Sequence, residues 1–211
     1  MKLLSVVISL GLFFSNQVSA DWKLDEKNSR LSFVSTKNGA IVEVHEFKEL
    51  AGHVTRNGEA TLVIKINSIE TLIPIRNERM QQLLFSSQDF PEATIKVQLD
   101  ADILNQLRAS TGTKIEVFGD ITISGQSQRL SAAVLVSGLK DGGVVVSSQK
   151  PVLVAANQFG LMTGIEALRE IAGLSSITPV VPVMFTLQYA PSRTRNSDAT
   201  QNAVRNKSGV L

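Results

Sequence analysis

The chain has 211 residues, two histidines, no cysteine and a formal charge of +2. The absence of cysteine excludes disulfides, thiolate catalysis, iron–sulfur clusters and thiolate zinc sites, so an apolar core must stabilise the fold, and a chain of this length can build one within a single domain. The basic pI of about 9.0 comes mainly from residues 191–211, which hold four basic residues against one acidic residue, so a nucleic-acid-binding surface is not indicated.

Residues 1–20 have the pattern of a secretory signal peptide. Lys2 precedes an apolar run that is short for a membrane span, and Val18-Ser19-Ala20 ends with small residues. We expect export and cleavage after Ala20, with an uncleaved membrane anchor as the alternative. No cysteine follows the apolar run, which excludes lipoprotein processing.

Residues 21–190 are predicted to form one domain rich in β-strands. Apolar and polar residues alternate over 31–36, 62–66, 95–102, 115–123, 130–136 and 181–189, and such one-sided strands are typical of antiparallel sheets. Residues that tolerate positive φ separate the segments, for example Asn38-Gly39 and Ser124-Gly125. About eight strands at this spacing indicate a sandwich or a barrel.

Two segments break the alternation and predict short helices. In 77–85, Met80, Leu83 and Leu84 have the spacing of one helix face. In 163–173, Thr163 and Glu166 have the spacing of a capping box, and Gly173 is placed to end the helix. Residues 191–211 are polar and basic without apolar periodicity, and we expect this tail to be disordered.

Residues for catalysis are scarce, and we do not expect an enzyme. The chain has no nucleophile elbow, P-loop or dinucleotide-binding glycine motif. His45 and His53 are not in a metal-ligand spacing, and His45 is interpreted as a surface or half-buried strand residue. A metal site assembled across strands is the alternative, but no local pattern indicates one.

An eight-stranded barrel can be filled by side chains or can hold one slim ligand. Small or branched residues such as Ala132, Val134 and Val136 occupy many of the alternating positions, and the chain has only one tryptophan and one tyrosine. This composition leaves a narrow apolar tunnel and a solid core both open.

Short motifs occur along the chain in a characteristic order. They are Trp22-x-Leu24-Asp25, Ser68-Ile69-x-Thr71, Arg76-Asn77, Phe90-Pro91-x-Ala93, Gly119–Gly125 and Phe159-Gly160-Leu161. In this order they resemble the YceI-like family of bacterial periplasmic proteins, whose lipocalin-like barrel holds a polyisoprenoid lipid. Two positions depart from typical members, which have Asp at the place of Asn77 and His at the place of Ser124, and this leaves the lipid head group open.

The resemblance implies an all-β fold, a single antiparallel lipocalin-like barrel of about eight strands with two short helical insertions over residues 21–190. It implies a periplasmic lipid carrier that holds a quinone-type or polyprenyl chain, with no covalent cofactor, no metal and no nucleic-acid partner. Transient membrane contact and a homodimer are left open. The alternative function is a non-enzymatic accessory protein that docks on a membrane partner and has a solidly packed barrel.

We expect apolar residues of the strands and insertions to line the tunnel. They are Phe33, Phe47, Ile64, Ile66, Met80, Leu84, Phe85, Ile95, Val97, Val117, Ile121, Val134, Phe159, Phe185 and Leu187. Arg76 is predicted either to contact the lipid head group or to bond strand-end carbonyls, because a segment that crosses a barrel must satisfy its backbone groups.

Overall fold

A computed structural model describes residues 20–108 and 112–192 of the chain. The signal peptide predicted for residues 1–20 lies outside the described residues except for Ala20, as does the tail beyond Ser192. The strands in the described ranges are β1 (Ala20–Leu24), β2 (Arg30–Lys37), β3 (Ile41–Phe47), β4 (Leu50–Thr55), β5 (Glu59–Lys65), β6 (Ile69–Glu70), β7 (Glu92–Gln98), β8 (Thr113–Ile123), β9 (Gln126–Gly138), β10 (Val144–Ser148), β11 (Val152–Ala155) and β12 (Val180–Pro191). The helices are α1 (Pro74–Arg79), continued by a π-helical turn (Met80–Leu84), α2 (Ala101–Arg108) and α3 (Met162–Ile171).

The strands form one closed antiparallel barrel. β1 pairs with β4 on one side, β2 pairs with β3 in the same way, and both β1 and β2 pair with β12 on the other side. β10 and β11 also both pair with β12. β1 with β2, β3 with β4, and β10 with β11 each act as one interrupted strand. The described segments therefore make eight barrel strands in sequence order, and β6 adds two residues beside β3. The barrel closes where Trp22 of β1 pairs with Pro191 of β12. The predicted eight-stranded antiparallel barrel is confirmed.

Turn residues set the registers of the hairpins. Between β8 and β9, Ser124 and Gly125 both have positive φ, 46° and 77°, which a two-residue turn of matching twist requires. A Cβ on Gly125 would lie 2.9 Å from Cε1 of Phe90, so the glycine also allows the ring of Phe90 to approach this turn.

The two ends of the barrel differ in what covers them. The helical end carries α1, the π-helical turn, α3 and the β2–β3 and β8–β9 hairpins. The terminal end carries the start of β1, the end of β12, α2 and the β4–β5 and β9–β10 hairpins. The elements without strand periodicity are therefore distributed over both openings of the barrel.

Helix α2 was not predicted, and the strand expected over 95–102 ends at Gln98. Asp100 accepts a hydrogen bond from the backbone N–H of Ile103 at 2.8 Å, in the manner of a helix N-cap, and Leu104 is buried. Residues 99–102 lead into α2, and their apolar and polar residues alternate with the period of a strand only by coincidence.

Helix α3 begins one residue earlier than predicted, and the capping box is wrong. Leu161 is the N-cap and makes no side-chain cap, while Glu166 pairs with Arg169 instead of with the helix start. The predicted end is confirmed, since Gly173 has φ of 62° just beyond the helix.

Helix α3 crosses the π-helical turn at Gly164. A Cβ on Gly164 would lie 2.5 Å from the carbonyl oxygen of Leu83 and 2.7 Å from the Cα of Leu84. Only glycine lets the two backbones approach this closely. The crossing places both elements over the helical end of the barrel.

Candidate functional site

An apolar cavity of about 290 Å³ occupies the interior of the barrel. Its lining extends from Trp22 and Leu99 near the terminal end to Leu84 and Ile165 under the helices. The volume is close to the lower end of the range for small-molecule pockets, roughly 300–1,000 Å³. The barrel is therefore not packed solid.

Most of the residues predicted to line the tunnel do line this cavity. They are Phe33, Phe47, Ile64, Ile66, Leu84, Phe85, Ile95, Val97, Val117, Ile121, Val134, Phe185 and Leu187. Strand alternation brings these side chains together because successive inward positions of every strand point to one interior. Their contact with a lipid stays a prediction.

Met80 and Phe159 are buried but do not line the cavity, which corrects their prediction as lining residues. In the π-helical turn the Phe85 N–H bonds the Met80 carbonyl at 3.1 Å, and this wider turn changes which side chains share a face. Phe159 lies in the 3₁₀ turn Ala156–Phe159, after the last residue of β11. Hydrophobicity predicted the burial of both residues but not the direction in which they face.

Sequence reasoning missed several lining residues. Among them are Trp22, Leu31, Leu62, Leu99, Ile103, Ile115, Val136, Val144, Leu161, Ile165, Val181, Val183 and Tyr189. The strand alternation already contained Leu62, Ile115 and Val136, whereas Ile103 and Ile165 required knowledge of where the helices pack.

At the terminal end of the cavity, the lining side chain of Trp22 joins two elements. The indole N–H of Trp22 donates to the carbonyl of Gly142 at 3.0 Å, which ties β1 to the β9–β10 hairpin. Tyr189 also lines the cavity, and burial raises the pKa of its hydroxyl to about 12. The hydroxyl is thus neutral at physiological pH and adds no charge to the apolar interior.

A polar cluster continues the lining faces of β2 and β3 toward the helical end. Phe33 and Phe47 line the cavity, and the next residues on the same strand faces are polar. The cluster consists of Ser35, Lys37, Glu43, His45 and Arg76. The polar cluster therefore lies next to the apolar lining of the cavity, at one side of the helical end.

Hydrogen bonds and ion pairs connect the members of this polar cluster. The Glu43 carboxylate lies 2.5 Å from Lys37 Nζ and 2.7 Å from Arg76 Nη1. Burial alone would raise the pKa of Glu43, but the hydrogen bonds and charges of Lys37 and Arg76 outweigh it and lower the pKa. Glu43 is therefore ionised and holds two cations from different elements.

His45 is buried in the cluster with 3% of its surface exposed. Its Nε2 lies 2.9 Å from Ser35 Oγ and its ring contacts Phe33, with 5.2 Å between the ring centroids. Burial, reinforced by the charges of Arg76 and Lys37, lowers its pKa, so His45 is neutral at physiological pH. Its Nδ1 is buried without a hydrogen-bond partner. The prediction of a surface or half-buried strand histidine is wrong, because the inward face of β3 continues to this residue.

The Ser35–His45 pair has hydrogen-bond geometry but not the arrangement of a catalytic triad. In a triad the carboxylate orients the histidine through the second ring nitrogen. Here Glu43 lies 3.9 Å from Nε2, the nitrogen that faces Ser35, and Nδ1 has no partner.

Arg76 bonds protein groups on two elements. Its Nη2 donates to the Thr71 carbonyl at 2.5 Å and its Nη1 to Glu43, while its Nε is buried without a partner. Asn77, at the position of departure from the family pattern, accepts from the Thr71 N–H at 3.0 Å and from its hydroxyl at 2.6 Å. The Arg76-Asn77 pair thus anchors the start of α1 to the barrel wall.

The described ranges contain no group of three His, Asp or Glu side chains placed to bind a metal ion. Among the residues that the structure describes, no helix combines the length and apolarity that a bilayer span requires. What the site offers chemically is an apolar channel with hydrogen-bonding groups beside one end.

The comparisons with known proteins agree with this geometry. The family model of the YceI-like domain matches residues 22–189. A polyisoprenoid-binding domain from Saccharophagus degradans, implicated in plant cell wall breakdown, is 33% identical over 82% of this chain and 100% of its own, with a TM-score of 0.79. BcnA of Burkholderia cenocepacia is 20% identical over 78% of this chain and 98% of its own, with a TM-score of 0.61, and shares the fold. No curated protein matches the chain.

Proposed function

The chain belongs to the YceI-like family, and from this membership we propose that it binds an isoprenoid lipid of the quinone or polyprenyl type inside the barrel and carries it reversibly. The proposed role is binding without catalysis. The observation that carries the proposal is the apolar cavity along the barrel interior. Its narrow shape suits a linear chain better than a compact ligand.

The energetics of such a carrier depend on the bilayer as the reference state. Burial of each CH₂ gains about 0.8 kcal/mol relative to water, so a tail of tens of carbons would exceed the roughly 18–21 kcal/mol limit of non-covalent binding. A bilayer is as apolar as the barrel interior, and transfer between the two is expected to be nearly neutral. Near-neutral transfer is what a reversible carrier requires.

The polar cluster supports a location for the lipid head group near the helical end. The buried nitrogens His45 Nδ1 and Arg76 Nε have no protein partner, and unpaired buried polar groups are costly. A hydroxyl, carbonyl or phosphate oxygen of a head group would relieve that cost. The other bonds of Arg76, to Glu43 and Thr71, favour a structural role for the rest of its guanidinium.

The sequence pattern of residues 1–20 supports export to the periplasm, where a lipid leaving a membrane needs a carrier. The cavity argues against the alternative of an accessory protein with a solidly packed barrel, since that function requires no internal space.

The test is the lipid content of the protein purified from its own cell envelope. Native mass spectrometry followed by organic extraction is expected to show one isoprenoid lipid per chain. A protein that is folded and contains no lipid, and that also fails to take up an added quinone or polyprenol, would refute the proposal.

A substitution within the cavity makes the test specific. Val134 is 1% exposed and lines the cavity from the middle of β9, so Val134→Trp is expected to displace the lipid at an overpacking cost of about 1–3 kcal/mol. The matched control is Phe118→Trp on the neighbouring strand β8, where the side chain is 53% exposed. Unchanged lipid content in a folded Val134→Trp protein would contradict an interior site.

A further inference from the structure

Exposed apolar side chains are concentrated in the helical half of the barrel. Of the large apolar side chains that are exposed among the described residues, all but Phe118 and Met184 lie on β3, on the helices and loops of the helical end, or on the adjoining parts of β11 and β12. We call the six most exposed members of this group the apolar collar: Val42, Val44, Leu72, Ile75, Leu153 and Ile171. In the described residues the terminal end carries no comparable group.

Leu72 is the clearest member of the collar. Its side chain is 87% exposed, and its backbone has φ of 65°. Positive φ is unfavourable for a bulky residue and is normally adopted by Gly or Asn. A strained leucine that projects into solvent adds nothing to the core, and such strain is typical of functional positions.

On some elements an exposed apolar residue is the direct sequence neighbour of a residue that lines the cavity. Leu153 faces outward between Val152 and Val154, which line the cavity. In the same way exposed Leu83 precedes lining Leu84, and the segment is one helix thick. One layer of protein therefore separates the exposed apolar surface from the proposed lipid site.

The collar also crosses several neighbouring strands. Val44 pairs with Val34 on β2, and Leu153 pairs with Pro182 on β12, so outward apolar residues occur on adjacent strands from β3 to β11. The surface continues onto the start of α1 through Leu72 and Ile75. A surface of this kind on a monomer marks an interaction site.

We propose that the apolar collar docks on a lipid bilayer and that lipid enters and leaves the barrel at the helical end. This inference rests on the proposed lipid-carrier function. A bilayer is the occupant that the observations favour, because the collar lies in the helical half of the barrel, beside elements that line an apolar cavity, and the proposed ligand of that cavity has the bilayer as its source. Docking there would let the tail pass between two apolar phases without exposure to water.

Flotation with vesicles of phosphatidylethanolamine and phosphatidylglycerol in a 3:1 ratio, free of isoprenoids, tests the proposal with the full chain. Wild type is expected to float with the vesicles in both 0.1 M and 0.5 M NaCl, because apolar insertion is insensitive to salt. For the double variant Leu72→Ser/Ile75→Ser, the fraction of protein bound to vesicles is expected to be at least tenfold lower than for wild type. The control Phe118→Ser removes an apolar side chain away from the collar whose exposure, 53%, is close to the 51% of Ile75, and this variant is expected to bind like wild type.

Any one of four results would overturn the proposal, and three of them come from the flotation assay. They are the absence of wild-type flotation, equal loss in the Phe118→Ser control, and loss of binding at 0.5 M NaCl, which would assign binding to the basic residues beyond 192. Light scattering that shows a dimer broken by Leu72→Ser/Ile75→Ser would likewise overturn it, since a second copy would then cover the collar. Lipid content measured on the same preparations separates the outcomes: bound lipid without vesicle binding refutes the docking inference and leaves the carrier function in place.

Discussion

The substitution Gly164→Ala adds a single methyl group and tests how closely α3 packs on the π-helical turn over the helical end. In Gly164→Ala the new Cβ would meet the Leu83 carbonyl oxygen at 2.5 Å and the Leu84 Cα at 2.7 Å. Both are backbone atoms, so no side-chain rotation relieves the clash, and α3 must move away from the π-helical turn. The clash is expected to lower the unfolding free energy by about 3 kcal/mol, which is in the upper part of the range for overpacking.

Alanine also favours a helix more than glycine does, by about 1 kcal/mol, so the net loss of unfolding free energy is expected to be about 2 kcal/mol. For a domain of this size that corresponds to a decrease in Tm of roughly 4–8 °C. The separation of the two elements should also increase the rate at which bound lipid is lost to acceptor vesicles. Differential scanning calorimetry and a lipid-transfer assay measure the two effects.

Thr163→Ala is the matched control, because it introduces the same residue one position earlier in α3. Thr163 is exposed and lies inside the helix, so this change is expected to leave stability unchanged or raise it by a few tenths of a kcal/mol. If Gly164→Ala melts at or above the wild-type temperature, the tight crossing is refuted. If Thr163→Ala costs about 1 kcal/mol, the side chain does cap the helix.

Three further predictions concern other parts of the chain. Arg76→Gln is expected to lower the unfolding free energy by about 1–2 kcal/mol with or without lipid, because it leaves Glu43 without one of its two cations; denaturation unchanged by the substitution, with lipid retention lost, would assign Arg76 to the head group instead. The pKa of His45 is lowered below its ordinary value of 6.5, so the unfolded chain binds the proton first, and Tm should fall as the pH decreases below about 6.5. His45→Gln should reduce this pH dependence, and an identical pH profile would contradict it. Intact-mass measurement of the exported protein is expected to give a chain that starts at Asp21, and retention of residues 1–20 would contradict cleavage after Ala20.

The fold was predictable because strand alternation and turn residues act locally. A residue such as Ile95 or Val117 faces the interior for the same reason in any one-sided strand. The consecutive residues Ser124 and Gly125 adopt the positive φ values of a two-residue turn and so set their hairpin. The order of motifs along the chain then identified the family, and the comparisons confirmed it.

The candidate site was less predictable because tertiary packing decides which way a side chain faces and where a strand gives way to a helix. The π-helical turn removes Met80 from the face it would share in a regular helix. Asp100 has the position of an outward strand residue in the sequence pattern, although its carboxylate accepts the N–H of Ile103 in the first turn of α2. The polar cluster escaped notice because Arg76, which is distant in sequence, reaches Glu43 only in the folded chain.

The barrel closes between its first and last strands, and this has a consequence for the order of events during folding. The pairs Trp22–Pro191 and Leu24–Tyr189 join residues from opposite ends of the described chain. Contacts of such long sequence separation are slow to form, because the intervening chain must first be ordered. No enclosed interior exists until β12 is in place, so a nascent or partly folded chain has nothing in which to retain a lipid. Under the proposed carrier function, loading is therefore an event of the finished protein, and a chain that loses its last strand is expected to lose bound lipid as well as stability.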